Sequence, residues 1–130
     1  MIQSYKDLRV YQLSFTAAMD VFKASKEFPR EELYSLTDQV RRSSRSIVAN
    51  LVEGWAKRHY ENIFRRHIQD AIGSADETKL WLDFALECGY LTVEQHNRLL
   101  EKYTEIGMML HGLYERWRTL PKPEKPKSYG

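Results

Sequence analysis

The sequence is poor in cysteine and proline and has no long apolar run. One cysteine in 130 residues, Cys88, permits no internal disulfide. No uninterrupted apolar stretch approaches the roughly 20 residues that span a bilayer. Residues 1–7, Met-Ile-Gln-Ser-Tyr-Lys-Asp, carry charge where a secretory signal needs its apolar region, so the expectation is a cytoplasmic protein with no membrane partner. No alternating strand pattern, hairpin turn, internal repeat or low-complexity tract is present. Hydrophobic residues make up 42% and charged residues 29%, which excludes a wholly disordered chain. The length suits one domain that buries about two thirds of its unfolded surface.

Catalytic and metal motifs are also missing. Di-iron bundles use Glu-x-x-His pairs; the residues three before the four histidines are Ala56, Phe64, Val93 and Met108. There is no His-Glu-x-x-His, and no glycines are spaced as a phosphate-binding turn. Small helical ribonucleases of the HEPN type use Arg-x(4–6)-His, and no histidine has an arginine at that spacing. Cys88 has no histidine beside it that would make a nucleophile pair. The expectation is no enzyme, no metal and no cofactor. His67 and Asp70, one turn apart, are either an acid–base couple or a surface hydrogen bond. Trp55, Trp81 and Trp117 are either base-stacking platforms or core residues. In each case the plainer reading is favoured.

What the sequence does have is helical period throughout. Ser4, with Asp7 three residues on, marks the start of a first helix whose seam is Leu8, Tyr11, Phe15, Ala18 and Phe22, ending before Pro29. A second begins near Glu31 or Glu32, with Leu33, Leu36, Val40, Ser43, Ile47, Asn50 or Leu51, and Gly54 on its seam, and ends around residues 55–58. The third runs from about Tyr60 to Glu87 on Phe64, Ile68, Ala71, Ala75, Thr78, Leu82 and Ala85, with Gly89 as its stop. Thr92 and Gln95 form a capping box for the fourth, whose seam is Leu99, Tyr103, Ile106, Leu110, Leu113 and Trp117, ended by Pro121. Four helices with short connections predict an all-α, antiparallel up-down-up-down four-helix bundle over residues 1–120. Residues 121–130, rich in proline and lysine, read as a disordered tail.

Apolar residues exceed what one bundle needs. Helix 1 has a second set, Val10, Leu13, Ala17 and Val21. Helix 4 adds Leu100, Met108, Met109 and Tyr114. On helix 2, Arg41, Arg45, Val48 and Val52 share a stripe expected to point away from the core. A broad core explains any one of these; three together favour a subunit interface on Val48 and Val52.

Charge is uneven. Residues 41–67 hold Arg41, Arg42, Arg45, Lys57, Arg58, Arg65 and Arg66 against Glu53 and Glu61, so this stretch is +5 within a chain of net +2. These seven are the candidate nucleic-acid-binding residues. Glu61–Arg65 and Arg66–Asp70 have i,i+4 spacing and compete as ordinary salt bridges. Arg41 and Arg45 lack that competition, with Thr37 four before the first and Ala49 four after the second. Beside them Gln39, Ser46, Asn50, Glu53 and Lys57 share a polar stripe. It reads as a hydrogen-bonded ladder between helices, with Gly54 allowing close approach, or else as a ligand site.

The sequence resembles the four-helix-bundle proteins called 23S rRNA intervening-sequence proteins. The matching pieces are Lys6-Asp7-Leu8-Arg9-Val10-Tyr11, Phe28-Pro29, Glu32-Leu33-Tyr34-Ser35-Leu36, residues 39–54, Gly73-Ser74-Ala75-Asp76-Glu77 and Cys88-Gly89-Tyr90-Leu91, in order over residues 5–118. Members usually have proline where Val48 stands and often glycine where Ser35 stands; Val48 leaves helix 2 straighter than a proline would. The resemblance implies a ring-shaped homopentamer, and some members are encoded in inserts within bacterial 23S rRNA genes. It is also similar to accessory proteins of diversity-generating retroelements, which implies nucleic acid (RNA or DNA) and a reverse transcriptase as partners. It implies no catalytic residue. The functional expectation is a non-enzymatic homo-oligomer that binds nucleic acid weakly through a basic surface; the alternative is a protein-interaction scaffold.

Overall fold

The structure, a computed structural model, describes residues 2–119. Among them four helices form: α1 (Arg9–Ser25), α2 (Leu36–Ala56), α3 (Glu61–Glu87) and α4 (Val93–Thr119). Each packs beside its sequence neighbours, and α1 closes the bundle against α4. The result is the antiparallel, up-down-up-down four-helix bundle that short connections dictate. The expected stop at Pro121 and the tail 121–130 lie outside the described residues.

The start signals act where their chemistry is local. Thr92 and Gln95 cap α4 reciprocally: the Thr92 N–H donates to the Gln95 Oε1 at 2.9 Å and the Gln95 N–H to the Thr92 Oγ1 at 3.1 Å. Gly89 ends α3 at φ +78°, with the Tyr90 N–H reaching back 2.8 Å to the Ala85 carbonyl. The Ser4/Asp7 box also forms, but it caps a 3-10 turn over Tyr5–Asp7 and not α1. The extended Leu8 separates that turn from α1, which has no side-chain cap of its own.

Two expectations need correction. The helix start near Glu31 is a 3-10 turn, Arg30–Glu32, and α2 begins at Leu36. Ser35, at φ −126° and ψ −102°, breaks helical geometry between them, so Leu33 is out of phase with the Leu36 stripe and is exposed. The second is the seam of α1. The buried residues are Val10, Ser14, Ala17, Val21 and Ser25, while Phe15 is 50% exposed and Phe22 is half-buried. Small side chains let α1 sit close to its neighbours, so the bulky aromatic stripe is turned to the edge.

The other seams fall as spaced. Every expected α3 residue from Phe64 to Ala85 is buried, as are Leu99, Tyr103, Ile106, Leu110 and Leu113 of α4. Trp117 stacks on Phe64 with ring centroids 4.2 Å apart, and Trp55, Trp81 and Trp117 all pack against the core. α2 runs without a break through Val48. No helix among the described residues is long and apolar enough to cross a membrane.

Candidate functional site

The polar stripe of α2 meets α3 rung by rung. The Thr78 hydroxyl donates to the Ser43 Oγ at 2.8 Å in the buried interior, and the Ser74 hydroxyl to the Ser46 Oγ at 2.9 Å. Asn50 donates its amide N–H to the Ser46 carbonyl at 2.9 Å, so its Oδ1 is left to accept from the His67 Nδ1, 3.0 Å away. That arrangement puts the His67 proton on Nδ1. Glu53 stands 3.8 Å from the same nitrogen. A β-carbon at Gly54 would lie 3.0 Å from the His67 Cβ, so glycine is what admits this close crossing. The ladder reading therefore holds for Ser46, Asn50 and Gly54. The His67–Asp70 couple does not form, because His67 turns to Asn50 and Glu53 of α2.

Outside the ladder the two helices leave an open groove of about 440 Å³, lined by Ser46, Asn50, Gln69, Asp70, Gly73, Ser74 and Glu77. Its hydroxyls and amides face two carboxylates, and no basic side chain lines it. Such a surface suits a cation that carries several N–H donors. Among the described residues no three His, Cys, Asp or Glu side chains gather as a metal site.

The seven basic residues do not form one patch. Arg41 is half-buried: its Nε donates to the Ser25 Oγ at 2.8 Å and its guanidinium lies 4.8 Å over the Phe22 ring. Arg45 lies 5.8 Å over the same ring, and Lys26 lies 4.7 Å over it. The expectation that Arg41 points away from the bundle is thus corrected: the aromatic edge of α1 draws it in. Arg42 pairs with Asp38 at 3.8 Å on the exposed surface. The other four lie at the far end of the bundle, twelve residues or about 18 Å further along α2 from Arg45 to Lys57. There Arg58 donates to the Trp55 carbonyl at 3.0 Å and stacks 4.4 Å over that ring. Arg65 stacks 4.0 Å over Tyr114 of α4. Lys57 and Arg66 are exposed, and no ion pair joins Arg66 to Asp70. Val48 and Val52 continue the Arg41–Arg45 stripe and are half-buried.

Several polar contacts are not read from local pattern. The buried His96 meets Asp83 at 2.7 Å through its Nε2, tying α4 to α3; its place three residues before Leu99 on the α4 seam was the available signal. Lys102 pairs with Asp20 across α4 and α1. Tyr90 donates to Glu32 at 2.9 Å, linking the two loops at one end. These last two pairs join residues 82 and 58 positions apart, beyond any periodicity.

The fold and the ladder thus define an antiparallel helical bundle with an open polar groove and divided basic clusters. The chain belongs to the 23S rRNA-intervening sequence protein family, whose pattern it matches over residues 6–112. It is also similar to a crystal structure of a protein of unknown function from the S23 ribosomal protein family of Bacteroides thetaiotaomicron VPI-5482. The identity is 26%, the TM-score 0.74, and the match covers 82% of this chain and 95% of that one. Comparison with curated proteins finds no match.

Proposed function

We propose that this chain is a non-enzymatic, self-associating cytoplasmic bundle that binds RNA or DNA weakly through phosphate contacts at the α2–α3 turn. The observation that carries the reading is the cationic end made by Lys57, Arg58 and Arg66. Lys57 and Arg66 are exposed and have no ion pair among the described residues, and Arg58 is held in place by Trp55. A charge with no competing carboxylate is available to phosphate. No groove-reading motif accompanies it, so the contacts are with backbone and are indifferent to sequence. Self-association is supported by exposed apolar side chains on two helices, Phe15 at 50%, Leu80 at 48% and Phe84 at 49%. A ring of five follows from the family resemblance alone. Such a ring repeats the cationic end in each subunit, and weak contacts then add through effective concentration.

The test is a fluorescence-anisotropy titration of labelled RNA and DNA at two salt concentrations. Log K is expected to fall by about 0.7–0.9 per phosphate neutralised for each tenfold rise in salt. Changing Lys57, Arg58 and Arg66 together to Glu is expected to abolish binding. The same change at Arg41, Arg42 and Arg45 tests the other cluster. Absence of binding at low salt, or indifference to both changes, establishes the protein-interaction scaffold instead. Light scattering tests assembly, and Val52→Asp is expected to weaken it by placing a carboxylate on a half-buried face.

A further inference from the structure

We propose that the α2–α3 groove of one copy receives Arg45 of the next, so that the basic α1–α2 edge and the acidic face of α3 form one head-to-tail contact. This rests on the self-association part of the reading above and names the surfaces that meet. The outer stripe of α3 has no partner within the bundle: Ile63, Asp70, Gly73, Glu77, Leu80 and Phe84 recur at helical spacing and all are exposed. Two carboxylates stand in its middle and exposed apolar side chains at its ends, with Arg66 between Ile63 and Asp70; the exposed Leu80 and Phe84 supply apolar area that a partner would cover. Asp70 and Glu77 line the groove and have no ion pair among the described residues. Arg45 is exposed and touches only the Phe22 ring, with no carboxylate of its own.

Height along the bundle permits the match. The Ser43–Thr78 and Ser46–Ser74 hydrogen bonds fix which residues of α2 and α3 lie level. Arg45 falls beside the Ser46–Ser74 rung, level with Ala75 and Asp76 and about 2–3 Å in height from Glu77. Val48 falls level with Ile72 and Gly73, and a β-carbon added at Gly73 would meet nothing within 4 Å, so a flat spot is left there. Rotation about an axis parallel to the bundle keeps every height. Such a rotation brings Arg45 of one copy within side-chain reach of Glu77 of the next, and Val48 beside Gly73. The α1–α2 edge and the α2–α3 groove are two different, adjacent sides of the bundle. A contact between two different faces is heterologous, and it gives a ring where the rotation closes. A guanidinium seated there takes the Glu77 carboxylate in a charge-assisted pair, with Ser46 and Ser74 hydroxyls beside it as further acceptors.

The experiment measures assembled mass by light scattering for the full chain, for Arg45→Glu and Glu77→Arg separately, for the two single variants mixed, and for both changes in one chain. Circular dichroism melts check that each variant is folded. Each single change sets like charges against each other at every contact, so both singles are expected to dissociate. The mixture is expected to reassemble with alternating copies, and the double variant to reassemble alone. A monomeric unaltered chain overturns the self-association reading together with this one. An assembled chain whose single variants stay assembled overturns only this contact. So does dissociation by Glu77→Arg alone, which marks an α3-to-α3 contact, and so does failure of both the mixture and the double variant to recover.

Discussion

Gly54 of α2 and His67 of α3 meet so closely that a β-carbon at position 54 would stand 3.0 Å from the His67 Cβ. Both atoms belong to backbone-proximal positions, so neither can swing away as the tip of a long side chain could.

Gly54→Val is therefore expected to destabilise the fold by about 1–3 kcal/mol, since overpacking forces the two helices apart. Gly107 provides the contrast. It lies within α4, and a β-carbon added there would meet nothing within 4 Å. Gly107→Ala is expected to stabilise by about 0.5–1 kcal/mol through helix propensity. Urea denaturation of the two variants checks both signs.

The buried rung between Thr78 and Ser43 yields a non-additive pair. The Thr78 hydroxyl also lies 2.8 Å from the Ser74 carbonyl, and the Ser43 hydroxyl 3.3 Å from the Val40 carbonyl; Thr78→Val removes the bond across the two helices, at an expected cost of about 1–3 kcal/mol. Ser43→Ala in the Thr78→Val background has no cross-helix bond left to lose, so the double change is expected to cost less than the sum of the singles. A double-mutant cycle from chemical denaturation measures the coupling, and strict additivity would show that the rung contributes nothing.

Glu32 and Tyr90 set the pH limits of the loop end. The Ser35 and Tyr90 hydroxyls hold the Glu32 carboxyl below its ordinary value of 4.5. The hydrogen bond to Glu32, with burial second, pushes the Tyr90 phenol from 10.0 up to about 12. A lowered carboxyl contributes stability above its unfolded value, and loses it as pH falls through the folded one. A raised phenol contributes below pH 10.0, and loses that as pH rises through about 12. The thermal midpoint is thus expected to fall on both the acid and the alkaline side. Glu32→Gln is expected to flatten the acid limb and to bring one tyrosine titration, followed by ultraviolet absorbance, back toward its ordinary range. An unchanged acid limb would count against the contact.

Tyr103 is fully buried in the core, and its hydroxyl makes no hydrogen bond of ordinary geometry among the described residues. Burial pushes its phenol far above the ordinary value. Deleting an unsatisfied buried oxygen removes a desolvation penalty, so Tyr103→Phe is expected to leave stability unchanged or raise it by up to about 1 kcal/mol. A loss larger than that, read from a thermal melt, would show that the neighbouring Ser44 hydroxyl satisfies the phenol.

The seams of α3 and α4, the Thr92–Gln95 box and the Gly89 stop were legible in the sequence because each is a local relation, a spacing or a dihedral within a few residues. So was the polar ladder as a type of feature, since Ser46, Asn50 and Gly54 already share a stripe on α2. The family to which the chain belongs was legible too, from blocks in fixed order over residues 5–118. Helix α1 marks the limit. It carries apolar side chains on two adjacent stripes, and periodicity alone ranks the aromatic stripe of Phe15 and Phe22 above the smaller one. Only packing could choose Ser14, Ala17 and Ser25, because close approach of helices favours small side chains over hydrophobic ones. The basic residues mark it again. Their number and signs are properties of the chain, but Arg41 turns inward to Ser25 and Phe22 while Lys57 and Arg66 stay exposed, a choice made by what α1 places opposite them. Sequence by itself determined the helices, their order and their charge. Tertiary structure decided which faces are buried, which cations remain available and which heights coincide, because those depend on side chains brought together from distant parts of the chain.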